Sequence, residues 1–156
     1  MAGITLIGYF LLFYYTDKNT MLGQSVQLSS YLVYALFMFL AAKSVGQEDF
    51  KTVLRTAFGV FVVTNLFYYI FDFVLFNTMD KSLADMQKTM MIDYYTANIK
   101  TVQETKEMRD NILNGNFHTI SSLAFGFAKG AIGGFLLAVI ISFLVKKMEE
   151  MAQKGF

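Results

Sequence analysis

This chain has no cysteine and no proline, a single histidine, and few charges, 16% of 156 residues. Without cysteine there is no disulfide framework, no thiolate metal site and no cysteine nucleophile. Without proline no helix is kinked by loss of a backbone donor. A net charge of +1 offers little to nucleic acid. The N-terminal apolar stretch lacks a basic start and a small-residue cleavage site, so it does not read as a signal peptide. There is no internal repeat, no low-complexity tract and no phosphate-binding glycine loop.

Apolar surface is abundant instead: 55% of residues are hydrophobic, including 17 phenylalanines and 9 tyrosines. A soluble domain of this size shows amphipathic stretches, not long runs that are apolar on every face. Four membrane spans are predicted, over residues 3–16, 26–42, 57–76 and 121–145. A crossing needs about 20 residues, so the first is short, as for a helix whose start lies upstream. Its cluster Tyr9, Phe10, Phe13, Tyr14 and Tyr15 suits a membrane–water boundary, and Asp17, Lys18 and Asn19 mark a polar turn. Lys43 can snorkel at the exit of the second span, which Gly46 closes. The third begins amphipathic, with Phe50, Val53, Leu54, Ala57 and Phe58 opposite Lys51 and Arg55.

Between the third and fourth spans, residues 77–119 form the only sizeable segment outside the bilayer. Asn77 and Asp80 look like a helix start. Leu83, Met86, Met90, Tyr94 and Ala97 follow at helical spacing, with Asp85, Lys88 and Asp93 off that stripe. The pattern weakens through Ile99, Val102, Met108 and Ile112, among alternating charges. Asn114, Gly115 and Asn116 signal a turn. One or two amphipathic helices on the outer surface are expected. The methionines there read as adaptable packing surface, not soft-metal ligands.

Lysine and arginine placement sets the expected orientation. Lys43, Lys51, Arg55, Lys146, Lys147 and Lys154 fall on one side and only Lys18 on the other, which puts both termini in the cytoplasm.

Two features inside the spans are informative. Ser122, Gly126, Gly130, Gly134, Ala138 and Ser142 recur at every fourth position of the last span and form a smooth ridge for close helix packing. The partner of that ridge is left open between the same chain, a second copy and another protein. Asn65, Tyr68 and Asp72 share one face of the third span. Asp72 and Lys129 lie at matching depth, and an ion pair between them is expected; ionisable groups in a span are costly and therefore informative. His118, beside Asn116 and Thr119, reads as an interfacial polar residue and not a base. Ser121 and Ser122 read as helix-start residues, not nucleophiles. No metal and no cofactor are expected.

The order of features resembles the domain of unknown function 4199 family, small four-helix membrane proteins of Bacteroidota. The resemblance rests on the amphipathic lead-in over residues 47–56 centred on Phe50, and on the aromatic third span with Leu66, Phe67, Tyr68, Tyr69, Ile70 and Phe71. A Met- and Gln-containing outer segment and a small-residue last span ending in Lys146 and Lys147 complete it. The short first span and a less acidic outer segment depart from the family pattern. The resemblance implies a fold and a membrane, and no catalytic residue.

The expected fold is therefore an all-α integral membrane protein: four transmembrane helices plus an amphipathic helical excursion between the third and fourth. The expected setting is the bacterial inner membrane. The expected role is non-enzymatic, an accessory or scaffolding subunit that packs through the ridge against another membrane protein or itself. The alternative is a small transporter or an ion or proton pathway component using Asn65, Tyr68, Asp72 and Lys129.

Overall fold

The structure, a computed structural model, describes residues 1–98 and 102–154. Ile99, placed above on the weakened stripe, lies outside the described residues. All regular elements among the described residues are helical: α1 (Ala2–Thr16), α2 (Lys18–Leu22), α3 (Gln24–Ser44), α4 (Phe50–Val74), a π-helical turn (Leu75–Met79), α5 (Ser82–Asn98), α6 (Val102–Asn114) and α7 (Ile120–Gln153). Three helical stretches are long and apolar enough to cross a membrane, Gln24–Ser44, Phe50–Met79 and Ile120–Gln153. The first expected span is a 15-residue apolar helix, shorter than a full crossing.

The chain divides into two compact units, Met1–Ile70 with Phe125–Phe156, and Phe71–Ala124. The boundaries fall inside α4 and α7.

In the first unit, α3 buries Val26, Ser30, Tyr34, Met38 and Ala42, a four-residue repeat that places one stripe inward. On α4 the buried positions are Val53, Ala57, Phe61, Thr64 and Asn65. Helix α1 joins this core through Leu6 and Phe10, and the Tyr9 hydroxyl shares a 2.5 Å hydrogen bond with Ser29 Oγ of α3. Gly3 lets α1 approach α4 closely, since a Cβ there would lie 3.0 Å from the Phe67 side chain.

The helix starts follow from local chemistry. Asp17 ends α1 in extended backbone and accepts from the Asn19 amide and the Thr20 hydroxyl, which starts α2. Asp49 accepts from the Thr52 hydroxyl at 2.5 Å and starts α4. Those hydroxyls hold both carboxyls below the usual carboxylate range. Their capping is thus complete above the unfolded carboxyl pKa and is lost as pH falls through the lowered folded values. Beside Asp49, Lys146 Nζ of α7 donates to the carbonyls of Gly46 (3.2 Å) and Glu48 (2.9 Å) in the α3–α4 connection.

In the second unit, α5 and α6 pack against each other. Leu83 is fully buried and Ile112 nearly so, whereas Tyr94 and Ala97, farther along the expected stripe, are exposed. Lys88 Nζ donates to the Leu113 carbonyl at 2.9 Å and ties α5 to the end of α6. The expected start at Asn77 and Asp80 is corrected in part. Asp80 Oδ1 accepts from the Ser82 amide and hydroxyl just ahead of α5, but Asn77 lies inside the π-helical turn and donates to the carbonyls of Phe73 and His118. The serines expected to open the last span are preceded by the actual cap, Thr119, whose Oγ1 accepts from the Ser122 amide at 3.2 Å.

Candidate functional site

The small-residue ridge lies against α4 of the same chain. An added Cβ at Gly126 would meet the Tyr69 hydroxyl at 2.9 Å, at Gly130 the Asn65 Nδ2 at 3.2 Å, and at Gly134 the Phe61 ring at 2.2 Å. Each step of four along α7 is matched by a step of four back along α4, an antiparallel register in which the glycines accept α4 side chains. Ala138 and Ser142 continue the ridge fully buried, with the Ser142 hydroxyl returned to the Ala138 carbonyl. Ser122 belongs to the other unit, where its hydroxyl donates to the Asn116 carbonyl at 3.0 Å.

This fit builds a pocket. With no side chain at Gly130, the amide of Asn65 borders open space, a cavity of about 300 Å3 between α3, α4 and α7. Gln24, Gln27 and Tyr34 descend one side of α3, and Asn65, Tyr68 and Tyr69 face them from α4. The Tyr34 hydroxyl donates to Asn65 Oδ1 at 3.3 Å, and the Tyr68 hydroxyl to Gln27 Oε1 at 3.5 Å. The Tyr34 and Phe61 rings, 5.1 Å apart, close the inner end. Asn65 is 6% exposed, and among the described residues its Nδ2 has no hydrogen-bond partner. No side chain lining this pocket is charged.

Two expected seam members, Asn65 and Tyr68, line this pocket, and Asp72 and Lys129 do not. Asp72 and Lys129 fall in different units, and each finds a partner in its own. Asp72 Oδ2 lies 2.8 Å from His118 Nδ1, whereas Lys129 is exposed with its Nζ 4.4 Å from the centroid of Phe125, four residues earlier on α7. The expected Asp72–Lys129 pair would join the two units, whereas the contacts described for each residue lie within its own.

His118 is also reassigned, from an interfacial residue to the centre of a buried cluster in the second unit. It is 7% exposed, stacks on Phe76 of the π-helical turn, and has Gln87 Oε1 of α5 at 2.8 Å from Nε2. The extra residue of the π turn sits where the chain brings Phe76 over this ring; such turns are frequent at special sites. No nucleophile joins the cluster, and among the described residues no group of three or more His, Cys, Asp or Glu could hold a metal ion. The sequence carried no signal for His118, since its partners come from three separate elements.

The model of the family described as protein of unknown function (DUF4199) matches residues 1–147, and the chain belongs to that family. No curated protein and no solved structure matches the chain.

Proposed function

We propose that this DUF4199 member takes up a small uncharged hydrogen-bonding molecule at Asn65, and that it serves as a small transporter for it in a bacterial inner membrane. One observation carries the reading: a buried amide donor without a partner among the described residues, on a side chain that lines an uncharged pocket with hydroxyls and amides. An orphan buried N–H costs about 1–3 kcal/mol, which a carbonyl or hydroxyl oxygen of a bound molecule would remove. The absence of charge from the lining favours a neutral solute over an ion. A proton relay needs titratable groups through the membrane thickness, whereas α4 on the inner side of Asn65 buries only Phe61, Ala57 and Val53 beside Thr64. Passage therefore requires the Tyr34–Phe61 floor to open.

The proposed setting has four spans, with α1 as the short fourth and both termini cytoplasmic. The Lys146 bonds to Gly46 and Glu48 support it by joining the end of α7 to the α3–α4 connection, where Lys43, Lys51 and Arg55 also lie. An accessory subunit would have to use a surface other than Gly126, Gly130 and Gly134, which face Tyr69, Asn65 and Phe61. The role is non-enzymatic, since binding and release involve no covalent step.

The test is solute flux through the purified chain in liposomes. Vesicles containing it should re-equilibrate faster than protein-free ones in a glycerol or urea gradient followed by light scattering. Asn65→Leu, which keeps the branched heavy-atom shape but removes both the donor and the oxygen that Tyr34 bonds, should slow that flux about tenfold, the equivalent of about 1.4 kcal/mol. Equal rates with and without protein across both solutes, or an unaltered rate in a well-folded Asn65→Leu variant, would overturn the reading.

A further inference from the structure

A second concavity lies on a different side of the first unit. A groove of about 610 Å3 runs between α1, α3 and α4, with Ile4, Phe37, Leu40, Val60, Val63 and Phe67 among its walls. Its side-chain lining is apolar except for two threonines and Arg55, which is exposed on the second turn of α4; the Met1 amino group also borders the groove. Among the described residues Arg55 has neither an ion pair nor a hydrogen bond. From Arg55 to Phe67 the helix rises about 18 Å at 1.5 Å per residue, a little more than half of a hydrocarbon core about 30 Å thick. The trough therefore has the length of one leaflet, with a guanidinium where that leaflet's headgroups would lie. Gly59 contributes to its width: a Cβ there would meet nothing within 4 Å.

We propose that this groove holds one acyl chain of an anionic phospholipid whose phosphate sits on Arg55. The match is one of charge and shape together. A planar guanidinium accepts phosphate oxygens through paired N–H groups, and the apolar walls offer the chain dispersion contacts along its length. A free phosphate would leave the trough unfilled, and a zwitterionic lipid carries beside its phosphate an ammonium that repels the Arg55 guanidinium and offsets the contact.

The experiment incubates the full chain, purified in a non-ionic detergent, with phosphatidylglycerol and phosphatidylcholine of identical chains, and reads bound lipid by native mass spectrometry. An excess of phosphatidylglycerol of about fivefold is expected, the effect of one basic residue near a membrane surface. Arg55→Gln should abolish that excess, while Lys51→Gln, one turn earlier and outside the groove, should leave it. Gly59→Phe projects a ring into the trough and should reduce retention of both lipids. Arg55, Lys51 and Gly59 are all exposed, so these variants are expected to fold, which thermal unfolding of each checks. Equal retention of the two lipids by the unsubstituted chain would overturn the proposal. So would a Lys51→Gln variant as impaired as Arg55→Gln, or undiminished retention by Gly59→Phe.

Discussion

Gly134→Ala is expected to lower the stability of the first unit by about 1–3 kcal/mol or more, although it adds only one methyl group. The added carbon would lie 2.2 Å from Phe61 Cδ1 and Cε1, far inside van der Waals contact, and the ring has little freedom to leave. Phe61 is 2% exposed and packs against Tyr34 and Phe58, with centroids at 5.1 and 6.4 Å. Helix α7 must move away from α4 or the ring must leave its rotamer, and either opens the pocket floor. Gly133→Ala is the control, because a Cβ there meets nothing within 4 Å. On propensity alone that change should be neutral or favourable by up to about 1 kcal/mol. Thermal unfolding in detergent compares the two. Partial rescue of Gly134→Ala by Phe61→Leu would show that the two positions couple through contact. A Gly134→Ala variant as stable as the Gly133→Ala variant would remove the case for close α4–α7 contact.

His118→Ala is expected to loosen the second unit by about 1–3 kcal/mol, the usual cost of leaving buried or part-buried hydrogen-bonding groups without their partner. The substitution strips Asp72 and Gln87 of their ring partner and removes the stack on Phe76. Asp72→Asn should cost less, because the amide oxygen still accepts from Nδ1–H. Hydrogen exchange resolved along the chain reads the difference. Protection over residues 71–98 and 102–124 should fall, and protection over α3 should stay. Uniform loss across both units would mean that His118 supports the whole molecule and not a local cluster.

Much of the helical architecture was legible beforehand. Helices α3 and α7, and α4 with its π-helical turn, bracket the expected long spans because uninterrupted apolar runs, free of proline, have few alternatives in a membrane. Asp17 and Asp80 were readable as polar breaks because a short carboxylate next to free backbone amides caps in any context. The ridge from Gly126 to Ser142 was readable as a packing surface, since small residues at a period of four form one face whatever lies opposite. Asn65 and Tyr68 stood out for the same local reason, as polar groups on one face of an apolar span.

Other assignments were out of reach of spacing arguments. Depth along a helix suggested that Asp72 would meet Lys129, but depth carries no information about azimuth or about a competing partner. His118 arrives at Asp72 from 46 residues away in sequence, at the end of an excursion whose return path no periodicity encodes. The π-helical turn that places Phe76 over the imidazole has no reliable sequence signature.

What the sequence by itself determined, then, is which faces exist: an apolar bundle, a ridge without side chains, and a polar stripe on the third span. Only the tertiary structure decided which faces meet. The ridge fits α4 of the same chain in antiparallel register, and Gly130 leaves the Asn65 amide bordering a cavity in place of a neighbour. The physical reason is that periodicity is a property of one helix, whereas a pocket or an ion pair belongs to the relative rotation of two. That rotation is set by the summed contacts of all the side chains between them.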